Sequence, residues 1–179
     1  SNNDYCISSE SVALDVLDFH LIRDVLPGEI IIFPQNSCKP LFYQYEQQDQ
    51  QPQLYPCLFE YIYFARIDSV IDKISVYEAR YKIGQLLAEK VLKTEDSKNI
   101  DILLPVPDTS LIFALGLQSK LQIPIHYGLS KNPYVERTFI MKDKHIIQKS
   151  IKRKLNAVGH VVKNKNILIV DDSIVRGNT

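Results

Sequence analysis

Apolar positions in the second half of the chain follow two alternating spacings. After Ser75 and Glu78, which form a capping box, residues 76–91 place apolar side chains three and four positions apart and predict a helix. Residues 100–106 and 167–170 are apolar runs typical of buried parallel strands. The other elements predicted here are a strand over 123–127 and helices over 109–121 and 145–158. This alternation predicts an α/β fold with an open parallel sheet and right-handed crossovers.

The first half of the chain predicts much less structure. Residues 9–18 form a short predicted helix. After a turn at 27–28, residues 29–33 and 41–45 are predicted strands that pair as a hairpin. These elements are too few for an independent domain, so we interpret them as the end of a larger one.

A glutamine-rich stretch over residues 44–53 separates the two halves and predicts a surface loop or linker. The net charge is zero, but residues 1–60 carry a local balance of −7 and residues 131–165 one of +8. The basic stretch is either a solvated surface or a surface that attracts phosphate, pyrophosphate or nucleic acid.

The composition of the chain indicates the compartment in which the protein is expected to act. No run of apolar residues approaches the roughly 20 that a membrane span requires, and the polar residues 1–4 do not resemble a signal peptide. The cysteines are odd in number and lack metal-ligand spacing. They are Cys6, Cys38 and Cys57. This usage suits a reducing compartment, so we expect a cytoplasmic protein that does not engage a membrane.

Two polar motifs lie where predicted strands end, which is where open parallel sheets bind their ligands. The first is residues 105–110, and the second begins with Asp171 and Asp172 and continues through Gly177. Adjacent carboxylates can accept hydrogen bonds from ribose hydroxyls or hold Mg²⁺, and a loop with glycine and hydroxyl groups suits a phosphate. Alternatively, the acidic pair only caps a following helix.

An apolar strand followed by two aspartates and such a loop resembles the loop of type I phosphoribosyltransferases that binds phosphoribosyl pyrophosphate (PRPP). Further segments, in the family's order, resemble the amidophosphoribosyltransferase family, among them Val-Asp-Asp-Ser-Ile-Val-Arg-Gly at 170–177. The other segments are residues 57–66, 74–80, 131–132 with 137–140, and 154–157. In the first half, residues 8–15 and 27–29 resemble the tail of that family's glutaminase domain.

The resemblance implies a division of the chain and an activity. Residues 1–43 would end an N-terminal-nucleophile glutaminase domain, 44–56 would be a linker loop, and 57–179 would be a type I phosphoribosyltransferase domain that stops within its PRPP loop. The family's enzymes transfer glutamine-derived ammonia to PRPP and give 5-phosphoribosylamine, the first step of de novo purine synthesis. The resemblance also implies Mg²⁺ as cofactor, a homo-oligomer in the complete enzyme, and no nucleic-acid partner.

Site residues are implied position by position. Thr109, Asp171 and Asp172 would serve the metal, while Lys131 and Arg137 would act catalytically in a loop that closes over PRPP and excludes water. The residues implied to bind PRPP are Asp171, Asp172, Ser173, Ile174, Val175, Arg176, Gly177, Asn178 and Thr179.

Several positions depart from the family pattern. Pro133 and Glu136 stand where the closing loop has Arg and Gly, and Asn178 stands where the PRPP loop has Thr. The glutaminase nucleophile would be an N-terminal cysteine, whereas residue 1 is Ser1. We therefore expect no glutaminase activity and no PRPP turnover from this chain alone. We also expect no iron–sulfur cluster, because Cys57 alone cannot replace the four ligands that a cluster needs.

Two other functions stay open. The chain could be a different phosphoribosyltransferase, or a non-catalytic PRPP-sensing regulator on the same fold. Lys131 and Arg137 favour the enzyme, because a sensor needs no water exclusion. A nucleic-acid-binding module could use the basic helix predicted over 145–158, but that helix lacks interleaved aromatic residues.

Overall fold

The computed structural model of the chain describes residues 4–35, 39–45, 52–134 and 154–174. These residues belong to two compact units, 1–77 and 78–179. The linker predicted at 44–56 would separate two catalytic domains, and that division of the chain stays a prediction. Parts of the predicted linker, closing loop and PRPP loop lie outside the described residues, at 46–51, 135–153 and 175–179.

A helix and a hairpin open the first unit. Helix α1 (Ser11–Val16) is shorter than predicted, and its buried residues are Val12 and Leu14. Strands β1 (Glu29–Ile32) and β2 (Leu41–Gln44) pair antiparallel, which confirms the predicted hairpin. The residue before β1 is Gly28, whose positive φ of 70° favours glycine.

The rest of the first unit consists of short elements. A π-helical turn (Glu60–Phe64) precedes strands β3 (Val70–Ile71) and β4 (Ile74–Ser75), which pair antiparallel. The hydroxyl of the buried Tyr61 donates to the carbonyl of Ile71 at 3.1 Å. This bond ties the π-helical turn to the hairpin.

Glu10 joins α1 to these short elements. Its Oε2 accepts hydrogen bonds from the backbone N–H of Arg66 at 2.8 Å and from the hydroxyl of Ser69 at 2.7 Å. Ser69 is fully buried, so this carboxylate satisfies a hydroxyl that water cannot reach. The stretch interpreted as the end of one domain thus shares a unit with the beginning of the predicted transferase segment.

Parallel strands form the centre of the second unit. In chain order the described elements are α2 (Val76–Val91), a 3₁₀ turn (Glu95–Asn99), β5 (Ile102–Pro105), α3 (Leu111–Leu121), β6 (Leu129–Lys131), β7 (Leu155–Ala157), α4 (Gly159–Val162) and β8 (Ile167–Val170). β5 is entirely buried and pairs in parallel with β8, which confirms both predicted strands. The strand predicted over 123–127 is reduced to one parallel bridge, between Leu103 and Ile125.

Two glycines let α2 and α3 approach closely. A Cβ on Gly84 would lie 2.1 Å from the carbonyl oxygen of Phe113. A Cβ on Gly116 would lie 2.1 Å from the carbonyl oxygen of Tyr81. This crossing fixes α3, whose N-terminal end lies at the candidate site.

The helix predicted over 145–158 is wrong at its C-terminal end. Residues 155–157 form β7, which pairs antiparallel with β6. The N–H of Val158 donates to the carbonyl of Gly128 at 2.9 Å and extends this pairing. Pairing with a distant strand overrides the helical spacing, because each side supplies the backbone partners that the other lacks.

Candidate functional site

The carboxyl ends of β5 and β8 lie side by side. Pro105 and Val170 are register partners at the last position of each strand. The N–H of Val106 donates to the carbonyl of Val170 at 2.8 Å. The two polar motifs that follow these strands therefore begin at the same edge of the sheet, as the sequence predicted.

Asp171 occupies the centre of this edge and is half-buried. Its Oδ1 accepts the backbone N–H of Asp172 at 2.9 Å and lies 3.4 Å from the hydroxyl oxygen of Ser110, a long hydrogen bond. Burial is the largest influence on the carboxyl and raises its pKa, as does the neighbouring Asp172 charge. The bonds from Asp172 and Ser110 lower the pKa but do not cancel this rise. The charge of the ionised carboxyl is therefore incompletely compensated by its partners, which suits a cation or a hydroxyl donor.

Asp172, Ser173 and Ile174 continue from the strand. The hydroxyl of Ser173 donates to Oδ1 of Asp172 at 2.7 Å. Ile174 is 90% exposed. The remaining residues of the implied PRPP loop lie outside the described part of the chain; they are Val175, Arg176, Gly177, Asn178 and Thr179.

The motif after β5 supplies the other side of the site. Ser110 is fully buried and precedes α3, yet its side chain makes no capping bond to that helix. Its hydroxyl lies beside Asp171 instead. The half-buried Thr109 is adjacent in the chain. The sequence pattern did not single out Ser110, because the helix predicted over 109–121 places this serine inside its first turn.

Lys131, the last residue of β6, reaches the same motif. Its Nζ forms an ion pair with Oδ2 of Asp108, in the turn between β5 and α3. The predicted catalytic cation is thus next to the first polar motif. Arg137, the other predicted catalytic residue, lies outside the described residues, as does Glu136.

The oxygen atoms at this edge of the sheet are of the chemical type that binds Mg²⁺. Within the described ranges, no group of three or more His, Cys, Asp and Glu side chains could enclose a metal. Mg²⁺ needs no such enclosure, because it keeps several waters and is held by one or two carboxylates together with substrate phosphates. The adjacent Asp171 and Asp172, together with the hydroxyl of Thr109, which precedes Ser110 in the chain, are the hard oxygen ligands that it prefers.

Cys6 and Cys57, the described cysteines, are free thiols, half-buried and exposed respectively. The absence of an iron–sulfur cluster stays a prediction. Among the described helices, none is both long enough and apolar enough to cross a bilayer.

No protein-family model matches the chain, but individual proteins do. It is 48% identical to the amidophosphoribosyltransferase of Escherichia coli, over 100% of the chain and 35% of that protein. It is 46% identical to those of Pseudomonas aeruginosa and Saccharomyces cerevisiae, over 98% of the chain and 34% of each relative. The chain thus spans about a third of the length of the curated relatives it matches.

Solved structures agree with these sequence matches. The glutamine PRPP amidotransferase of B. subtilis, complexed with ADP and GMP, superposes with a TM-score of 0.75 and 38% identity, over 94% of this chain and 35% of that one. A structure described as the allosteric regulatory enzyme of purine biosynthesis superposes with a TM-score of 0.77, also at 38% identity, over 96% of this chain and 35% of that one. The predicted resemblance and the α/β fold class are confirmed.

Proposed function

Because the chain belongs, along its whole length, to the amidophosphoribosyltransferase family, we propose that it supplies part of the PRPP site of an enzyme making 5-phosphoribosylamine. In that enzyme, glutamine-derived ammonia displaces pyrophosphate from C1 of PRPP. The proposed activity belongs to a protein that contains this segment, since the chain spans about a third of each relative. The proposal includes Mg²⁺, a cytoplasmic location and a homo-oligomeric complete enzyme.

One contact carries the proposal, the approach of Ser110 to Asp171 at 3.4 Å. These residues lie 61 positions apart in the chain and belong to the two polar motifs. Their contact extends the pairing of β5 and β8 into the two motifs and brings polar side chains from both motifs together. A sugar carrying phosphates at both ends needs such a site, because hydroxyl and phosphate groups must be held together.

Asp171 and Asp172 would accept hydrogen bonds from the ribose hydroxyls. Burial makes this favourable, because a partly desolvated carboxylate gains more from a donor than one in water does. Mg²⁺, when bound, would neutralise part of the pyrophosphate charge. Thr109 and the Asp171–Asp172 pair are the residues that would hold it.

Ser173 begins the loop proposed to hold the 5-phosphate, together with residues 174–179. Lys131 lies at the edge where the pyrophosphate would leave, and its ammonium group would stabilise the charge that develops there. Arg137 is proposed to add a second cation from the closing loop. Excluding water at this point favours ammonia as the nucleophile.

An NMR titration of the labelled chain with PRPP and Mg²⁺ tests the proposal, since it detects weak as well as tight binding. We expect the amide signals of Thr109, Ser110 and residues 171–174 to shift together. Asp171→Asn should weaken binding by roughly tenfold, the value of a hydrogen bond to a charged group. The control Asp96→Asn removes an exposed carboxylate of the 3₁₀ turn and should not change the titration. Equal binding by wild type and Asp171→Asn would contradict the proposal.

A further inference from the structure

Asp108 forms an ion pair with the ammonium group of Lys131, the same group that would stabilise the pyrophosphate in the proposed reaction. Lys131 ends β6, and Asp108 lies 23 residues earlier, in the turn after β5. The Asp108 side chain is 74% exposed, whereas that of Lys131 is 35% exposed. The lysine is therefore the anchored partner, and the aspartate extends into solvent.

We propose that Asp108 is an internal competitor, which occupies the ammonium group of Lys131 until a pyrophosphate group displaces it. The inference rests on the proposed function and deepens it, because it concerns how the same site selects its anion. It assigns to Asp108 a role in setting affinity, which the family resemblance did not imply for this residue.

The relative charges explain why such a competitor can be displaced. A carboxylate offers Lys131 one negative charge, whereas a pyrophosphate group offers several charges and more acceptor oxygens. Asp108 can turn into water at little cost because most of its side chain is already solvated. A singly charged anion gains too little to replace it. The pair therefore favours highly charged phosphate groups over weak anions.

A simpler alternative is that Asp108 only repels anions. In that case its effect does not depend on Lys131, because the negative charge acts on the ligand directly. Under competition, the effect requires Lys131, since Asp108 acts by withholding that side chain. The two explanations therefore differ in a double-mutant cycle.

The cycle uses the full chain and magnesium pyrophosphate, titrated by NMR into wild type, Asp108→Asn, Lys131→Gln and the double variant. We expect Asp108→Asn to tighten binding roughly two- to fivefold, the range for an exposed ion pair. In the Lys131→Gln background the same substitution should change binding by less than the measurement error. Asp96→Asn, which removes an equally exposed carboxylate elsewhere, should match wild type.

Equal tightening in both backgrounds would overturn competition and leave only repulsion. Weaker binding by Asp108→Asn would overturn it too, because Asp108 would then itself bind the magnesium complex. If neither wild type nor any variant binds magnesium pyrophosphate or PRPP, the proposed function fails as well. The ion pair has its own readout, the NMR signal of the isotopically methylated Lys131 side chain without ligand. That signal should move on Asp108→Asn, and an unchanged signal would show that the pair does not form.

Discussion

Gly116→Ala should destabilise the second unit, because it places a methyl group where α2 and α3 touch. The new Cβ would lie 2.1 Å from the carbonyl oxygen of Tyr81, which is more than 1 Å inside van der Waals contact at roughly 3.2–3.5 Å. The oxygen is backbone, so no change of rotamer relieves the overlap and the helices must separate. Overpacking of this kind costs typically 1–3 kcal/mol, whereas alanine in place of glycine gains about 1 kcal/mol of helix propensity. Because the overlapping atom is backbone and lies at only 2.1 Å, the cost falls in the upper part of that range, about 2–3 kcal/mol, and the net loss is about 1–2 kcal/mol.

Urea unfolding followed by circular dichroism measures this loss as a lower midpoint at an unchanged slope. Gly159→Ala is the matched control, because a Cβ there meets nothing within 4 Å. We expect that variant to equal or slightly exceed the stability of wild type, through propensity alone. If Gly116→Ala unfolds at the same urea concentration as Gly159→Ala, the close crossing of α2 and α3 is refuted.

Three further substitutions test the site and the first unit. Asp171→Asn should stabilise the ligand-free chain at neutral pH, because burial raises the pKa of Asp171 and its ionised form therefore opposes folding. The stability that this group contributes is present below its unfolded pKa and lost as pH rises through the folded one, so the gain should vanish in acid unfolding curves. Ser110→Ala should leave helix content unchanged in circular dichroism, since this serine makes no capping bond, but should weaken binding of magnesium PRPP severalfold in calorimetry. Glu10→Ala should cost about 2–3 kcal/mol in urea unfolding, because Arg66 N–H and the buried Ser69 hydroxyl lose their shared charged acceptor; a change below 0.5 kcal/mol, the size of ordinary surface effects, would show that this joint is unimportant.

Local patterns predicted the elements that carry the site. The apolar run before Asp171 and Asp172 predicted β8, and the capping box at Ser75 predicted the beginning of α2. Both predictions rest on side chains close in sequence, where the spacing along the chain determines which side chains share a buried face.

Long-range partners explain what the sequence did not predict. Residues 155–157 have helical spacing, but their backbone groups pair with β6, which lies more than 20 residues earlier. The turning of the Ser110 hydroxyl towards Asp171 depends on the distance between two strand ends. The pairing of Lys131 with Asp108 likewise depends on where β6 ends. No local pattern encodes these distances.

A crystal structure of the protein with PRPP and Mg²⁺ tests the central claim most directly, that two strand-end motifs form one PRPP site. We predict that the ribose hydroxyls lie within hydrogen-bonding distance of Asp171 and Asp172, with the metal beside Thr109 and the pyrophosphate towards Lys131. PRPP bound away from the edge shared by β5 and β8, with the Asp171 and Ser110 side chains unchanged, would contradict the claim.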